Sequence, residues 1–120
     1  MPAASAHFQF LNLAAALEYL GDRQGVRDML PLLNKSLARD VPDVAQLLLR
    51  GDTVEAAARL HSLKGFLPIF CYPDLINELV RIEKWCKSGA ASDVLPAYMA
   101  LASQLQGLAQ ELSRYEAQKD

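Results

Sequence analysis

The sequence has few of the residues that mark several large classes of protein. Its 120 residues include only two cysteines, and aromatic side chains make up 8% of the chain. Cys71 and Cys86 are too few for a disulfide framework and lack the CxxC spacing of a zinc or redox site. We therefore expect two free thiols in a reducing cytosol. No glycine-rich phosphate loop is present in the sequence, which excludes the usual nucleotide-binding motifs.

Long apolar runs and clusters of one charge are also missing. No run of about 18 apolar residues occurs, so no membrane-spanning helix is predicted. Residues 1–20 have no basic flank and include His7, Gln9, Asn12 and Glu18, which argues against a signal peptide. The 12 basic residues are dispersed among 14 acidic ones, so the footprint of a nucleic-acid-binding protein is absent. We expect a cytoplasmic protein that binds no nucleic acid and inserts into no membrane.

The residues that are present favour an all-α protein. Apolar side chains make up 52% of the chain, which is enough to build one core at this length. Ala, Leu, Gln, Glu and Arg dominate, and no long stretch alternates apolar with polar residues as a half-buried strand would. We predict a single domain over residues 1–120, folded as an antiparallel four-helix bundle with a short extra N-terminal helix.

Capping residues and prolines divide the first half of the helical pattern. The first predicted helix covers Phe8–Leu20, and the second begins near Asp22, which can accept the free amides of a first turn. A long helical pattern then covers Arg23–Arg50. Pro31 and Pro42 each remove an amide donor within it, so we expect a kink or break at both positions.

The third predicted helix carries the pattern of chemical interest. Asp52 at the N-cap and Glu55 at the third helical position form a variant of the capping box. Side chains three and four positions apart then fall on two faces, of which one is expected to be buried and the other exposed. The buried stripe comprises Ala56, Leu60, Leu63 and Leu67, and the other face comprises Ala57, Ala58, His61, Lys64 and Gly65.

Two further helices complete the predicted bundle. Pro73 stands at the first position of the fourth helix, which Ser88 and Gly89 end. The last helix is expected from Ser92 or Asp93 to Gln118. The predicted core positions are Leu75, Ile76, Leu79, Ile82 and Trp85 or Cys86 in the fourth helix, and Leu95, Met99, Ala102, Leu105, Leu108, Leu112 and Tyr115 in the last.

The segment from His61 to Gly65 places three chemically useful residues on one exposed helical face. A histidine side chain is largely neutral at cytosolic pH, so one nitrogen of the His61 ring keeps a lone pair able to attack phosphorus. Lys64, one turn further on, can supply a cation for the roughly two negative charges of a phosphohistidine. Gly65 leaves the space above the ring open. Since a glycine inside a helix costs about 1 kcal/mol relative to alanine, its presence indicates a role beyond folding.

This pattern resembles the histidine-phosphotransfer (HPt) family of two-component phosphorelays, whose phosphoacceptor motif is His-x-x-Lys-Gly in a helix rich in alanine and leucine. The resemblance covers a core of about residues 10–113, including the turn at Gly51 and Asp52. It implies a bacterial-type phosphoprotein that accepts a phosphoryl group on His61 from a receiver-domain aspartate and passes it to another receiver. It further implies a monomer without cofactor, metal or kinase activity of its own, whose partners are response-regulator receiver domains and a hybrid sensor kinase.

The resemblance also implies a role for Glu83. In several family members, a Gln or Glu at the matching position hydrogen-bonds the histidine nitrogen that is not phosphorylated. Glu83 would then orient His61 and fix its tautomer. The alternative from the residues alone is a surface ion pair with Arg81, Lys84 or Lys87.

Residues on both sides of the motif bear on how a partner docks. Ala57 and Ala58 would give a flat apolar platform for a receiver helix, or would simply favour helix formation. The chain departs from the family pattern over Phe66–Tyr72, where small or polar residues are usual. Pro68 is expected to kink or end the phosphoacceptor helix there, so we expect an altered docking face that includes this proline.

Three rival functions remain open from the sequence. A helical adaptor that binds receivers without accepting phosphate is favoured by the departure over Phe66–Tyr72. A hydrolase using His61 as general base has no serine, cysteine or carboxylate at a suggestive spacing. The dimerising module of a sensor kinase has an acidic residue after its histidine, where this chain has Ser62. The second histidine, His7, has no supporting neighbours and is interpreted as an ordinary residue.

Overall fold

The computed structural model describes residues 8–117, and His7 lies outside them. Within this range five α-helices follow one another, and the sole β-structure is an isolated antiparallel bridge between Leu11 and Cys71. No helix among these residues is both long enough and apolar enough to cross a membrane. The all-α class predicted from composition is confirmed. The helices are α1 (Leu13–Leu20), α2 (Arg23–Leu49), α3 (Thr53–Phe66), α4 (Pro73–Cys86) and α5 (Ala91–Ala117).

The helices pack around one apolar core to which all five contribute. Helix α2 contacts α3 and α5, α4 contacts the same two helices, and α1 packs on α2. Each helix turns its apolar side chains towards this core, as expected for amphipathic helices whose stability comes mainly from packing. The pairing that matters for function is α3 with α4, because it places the phosphoacceptor motif beside the acidic residue of the next helix.

Helix α1 is shorter than the sequence pattern predicts. It begins at Leu13 and not at Phe8, because the side chain of Asn12 caps it by accepting the backbone amide of Ala15 at 3.1 Å. The second boundary is as predicted, since Asp22 caps α2 with its carboxylate. Local capping chemistry thus fixes both helix starts, although one of the two caps was not predicted.

Residues 8–12 are held outside the helix by a long-range contact. The carboxylate of Glu111 in α5 is 4% exposed and accepts three successive backbone amides of this segment. A buried carboxylate with three amide donors stabilises a non-helical backbone that would otherwise leave those groups unpaired. The donors are Gln9 at 2.7 Å, Phe10 at 3.0 Å and Leu11 at 2.9 Å.

Helix α2 continues through both of its prolines. Pro31 and Pro42 lie inside the helix, so the expected interruption does not break it at either position. Both rings are exposed, whereas Leu30 and Val41 beside them are buried. Packing of the opposite face on the core outweighs the hydrogen bonds that the prolines remove.

Helix α5 buries a different face in its first half from the predicted one. Met99 is 50% exposed and Leu95 only partly buried, so these two predicted core positions are wrong. The hydroxyl of Tyr98 donates to the carbonyl oxygen of Val41 at 2.6 Å, which anchors this ring in the core. The predicted core positions of the second half are confirmed. The core residues that the leucine spacing missed are Val94, Tyr98 and Leu101.

Candidate functional site

The start of α3 is fixed by the cap predicted from the sequence. The carboxylate of Asp52 accepts the backbone amide of Glu55 at 3.1 Å. The Glu55 carboxylate lies 3.6 Å from Arg59 in the next turn, so it forms an ion pair along the helix. Because the cap sets where the helix begins, it also sets which residues face the core and which face solvent.

The two predicted faces of α3 are found with one exception. The side chain of His61 is 67% exposed and that of Lys64 is 34% exposed, while Gly65 is exposed. Ala57 was expected on the exposed face, but it is 8% exposed because it lies in the wall between α3 and α4. Ala58 is exposed as predicted. The buried stripe is confirmed in full at Ala56, Leu60, Leu63 and Leu67.

A buried carboxylate from α4 lies directly beneath the histidine. Glu83 is 3% exposed, and its Oε2 atom is 3.1 Å from Nδ1 of His61. Its other oxygen, Oε1, is 3.1 Å from Nζ of Lys64. Nζ of Lys87 is 3.6 Å from Oε2. One carboxylate therefore contacts an imidazole and two ammonium groups, so the orienting contact and an ion pair with Lys87, which the sequence left as alternatives, occur together.

The charge state of Glu83 follows from a balance of opposing effects. Burial of the carboxyl group on its own would raise its pKa. Hydrogen bonding and charge from Lys64 and His61 act the other way and outweigh burial, so the pKa of Glu83 lies below its ordinary value. The group is then an ionised carboxylate at neutral pH. Because a carboxylate only accepts hydrogen bonds, the nitrogen that faces it carries the hydrogen.

This assignment leaves the other ring nitrogen of His61 with the lone pair. With the hydrogen on Nδ1, the neutral ring has its acceptor at Nε2. The ring is mostly exposed, and a Cβ atom placed on Gly65 would meet no heavy atom within 4 Å. The arrangement therefore offers an oriented nucleophilic nitrogen with open space on its α3 side and a cation one turn away.

A groove of about 500 Å³ runs beside the histidine between α3 and α4. Val54 at one end is 80% exposed, which makes an apolar rim. Lys87 lies on the groove wall, whereas Lys64 does not belong to the described lining. The full lining is Thr53, Val54, Ala57, Ala58, His61, Glu83, Cys86 and Lys87.

Pro68 lies beyond the C-terminal end of α3, outside the groove lining. Helix α3 ends at Phe66, and a single 3-10 turn over Leu67–Ile69 contains the exposed proline, so the predicted helix end is confirmed. The structure thus brings together His61 and Glu83 with their neighbours, and it places Pro68 apart from them. Pro68 and the groove flank the motif from opposite ends of α3.

The two cysteines are free thiols, and both are buried. Burial raises the pKa of the Cys71 thiol to about 12 and also raises that of Cys86. Cys86 lines the groove, a position that its spacing in the sequence did not indicate. Its raised pKa keeps it protonated at neutral pH, so it behaves there as a small apolar side chain.

Sequence reasoning gave Lys87 no role beyond a surface ion pair. The available signal was its position four residues after Glu83 on a predicted helix, which puts both side chains on one face. In residues 8–117, no group of three or more His, Cys, Asp or Glu side chains is arranged to hold a metal ion.

Comparison with known proteins adds no relative. No protein-family model matches the chain, and no curated protein or solved structure matches it. Any functional conclusion therefore depends on the sequence motif and on the geometry around His61.

Proposed function

We propose that this chain is a phosphorelay histidine-phosphotransfer protein whose phosphoacceptor is His61. One observation carries the proposal: the buried carboxylate of Glu83 lies 3.1 Å from Nδ1 of His61 and so leaves Nε2 as the exposed nucleophile. In this proposal the helices form the HPt-like antiparallel four-helix bundle with a short extra N-terminal helix. The chain is a single HPt domain.

The proposed transfer is a direct displacement at phosphorus. The lone pair of His61 Nε2 attacks the phosphorus of a receiver's aspartyl phosphate, and the new N–P bond forms as the P–O bond to the aspartate breaks. The aspartate leaves as a carboxylate with the electron pair. Nδ1 keeps its proton, so the phosphorylated ring carries positive charge, which the Glu83 carboxylate stabilises. The reverse displacement delivers the group to the next receiver.

Lys64 and Gly65 assist this displacement in different ways. The ammonium of Lys64 lies one helical turn from His61 and compensates the negative charge that the phosphoryl group brings. The missing side chain of Gly65 leaves room for the in-line approach of the donor, which such a displacement requires. Together they explain why a glycine that weakens the helix stands next to a lysine.

The proposed partners are receiver domains of response regulators and of a hybrid sensor kinase. A receiver helix would pack on the wall formed by Ala57 and Ala58, and Pro68 would limit the contact beyond the other end of the motif. The interface is expected to be small, because a relay must release each partner. We propose a cytoplasmic bacterial monomer that needs no cofactor and has no kinase activity of its own.

The decisive experiment is phosphoryl transfer from a labelled phosphorylated receiver domain, together with labelling by phosphoramidate as a partner-free donor. The unmodified chain should acquire acid-labile, base-stable label, and His61→Gln should acquire none. His7→Gln is the matched control and should label normally. Binding of receivers without label would favour the adaptor alternative, and label that persists in His61→Gln would show that the assigned residue is wrong.

A further inference from the structure

Lys87 occupies a position that the HPt resemblance does not explain. Its Nζ atom lies 3.6 Å from Oε2 of Glu83, the same oxygen that faces Nδ1 of His61. We infer that Lys87 is a second phosphate-binding residue, whose ammonium moves from Glu83 to the phosphoryl group on Nε2 of His61. The inference rests on the proposed phosphotransfer function and adds a residue to it.

The two lysines that contact Glu83 differ in how firmly they are held. Lys64 is 3.1 Å from the carboxylate and its side chain is 34% exposed, whereas Lys87 is 3.6 Å away and 64% exposed. A buried carboxylate must keep a partner, because an unpaired buried charge is costly. Lys64 is therefore the cation that stays on Glu83. Lys87, on its flexible four-carbon stem, is the one able to move.

A count of charges shows why a second cation is needed. A phosphoryl group on His61 brings about two negative charges to a site that already holds the Glu83 carboxylate. The protonated ring and Lys64 supply two positive charges, so about one negative charge stays uncompensated. Lys87 supplies the missing positive charge without drawing on any group of the partner.

The groove gives Lys87 a distinct place in the site. Lys87 lies on the groove wall with His61, and Lys64 is absent from the lining that the structure describes. The two ammonium groups therefore reach the phosphoryl group from different helices. Lys64 approaches along α3, and Lys87 approaches from the end of α4 across the groove.

The test compares Lys87→Ala with Lys84→Ala, which removes the same charge from an exposed lysine of the same helix. With phosphoramidate, Lys87→Ala should label about tenfold more slowly than the unmodified chain, the effect of one charge-assisted hydrogen bond on a rate. Lys84→Ala should change the rate by less than about twofold. Lys87→Arg should restore most of the rate. Circular dichroism melts should coincide for all variants, since both lysines are exposed.

A receiver donor separates phosphate binding from partner docking. If Lys87 binds the phosphoryl group, Lys87→Ala lowers the maximal transfer rate at saturating receiver. If only the half-saturating receiver concentration rises, and phosphoramidate labels Lys87→Ala at the normal rate, Lys87 is a docking residue and the inference is overturned. Absence of label on the unmodified chain with both donors would instead overturn the proposed function, and this inference with it.

Discussion

Two buried carboxylates, Glu83 and Glu111, are equally hidden from solvent but have very different partners. Glu83 is 3% exposed and Glu111 is 4% exposed. Glu111 accepts hydrogen bonds from three successive backbone amides of the N-terminal segment. Glu83 contacts an imidazole and two ammonium groups beside an open groove. Burial alone would not tell the two residues apart.

The difference lies in whether the partners can move or change charge. Backbone amides neither titrate nor leave their place in the chain, so the Glu111 contact has one arrangement and serves the fold. The side chains around Glu83 can titrate, rotate and exchange partners, as a group-transfer site requires. The chemical type of the partner, more than the burial of the carboxylate, distinguishes a functional site from a structural clamp.

The largest effect on stability is expected at Glu111. Glu111→Ala leaves three backbone amides without their acceptor, so the free energy of unfolding should fall by roughly 3 kcal/mol. Urea denaturation measures this loss, and Glu111→Gln, which keeps one acceptor oxygen, should lose less. Phosphotransfer measured well below the melting temperature should stay unchanged. A loss below about 1 kcal/mol would mean that the clamp contributes little to the fold.

At Glu83 the main effect should fall on the rate of transfer. Glu83→Ala removes both the acceptor and the charge, so single-turnover transfer should slow by about 100-fold. Glu83→Gln keeps an acceptor oxygen for His61 but loses the charge, and about tenfold slowing is expected. If Glu83→Ala destabilised the protein as strongly as Glu111→Ala and left transfer intact, the contrast between the two carboxylates would be wrong.

Two helical glycines extend the same contrast with smaller effects. A Cβ atom on Gly65 would meet open space, so Gly65→Ala should raise the free energy of unfolding by about 0.5–1 kcal/mol while slowing transfer. A Cβ atom on Gly107 would lie 2.7 Å from the ring of Phe10, so Gly107→Ala should destabilise by about 1 kcal/mol and leave transfer unchanged. Thermal melts and transfer rates of both variants test the pair, and equal shifts in stability would contradict it.

The smallest expected effect is in the pH dependence of stability. Because the pKa of Glu83 is lower in the folded protein than its ordinary value of 4.5, the carboxylate stabilises the fold above that value. This contribution is lost as the pH falls through the folded pKa. The difference in unfolding free energy between the unmodified chain and Glu83→Gln should therefore shrink on acidification from about pH 6 to about pH 4. A difference that grew on acidification would reverse the assigned direction.

The features that the sequence predicted correctly depend on neighbours in the chain. Asp22 and Asp52 cap helices because each lies within three residues of the amide it accepts. The buried stripe of α3 follows from helical periodicity, which also exposes His61. Pro68 ends the helix because a proline supplies no amide to continue it.

The features that the sequence did not predict depend on distant contacts. Helix α1 starts late because residues 9–11 bind Glu111, far along the chain. The face of α5 near Met99 is set by how Tyr98 reaches Val41 of α2. Ala57 is buried because α4 packs against it, and periodicity within α3 alone carries no information about that neighbour.

The clamp at Glu111 also has a consequence for how the chain is made. Its three hydrogen bonds join residues that are 100 to 102 positions apart, so nearly the whole chain must be synthesised before they can form. The N-terminal segment leaves the ribosome first and is among the last parts to be secured, which raises the contact order of an otherwise locally folding helical protein. A product that stops short of the final turns of α5 exposes three unpaired amides beside apolar side chains. Such a product carries a chemical mark of incomplete synthesis that chaperones and proteases can recognise.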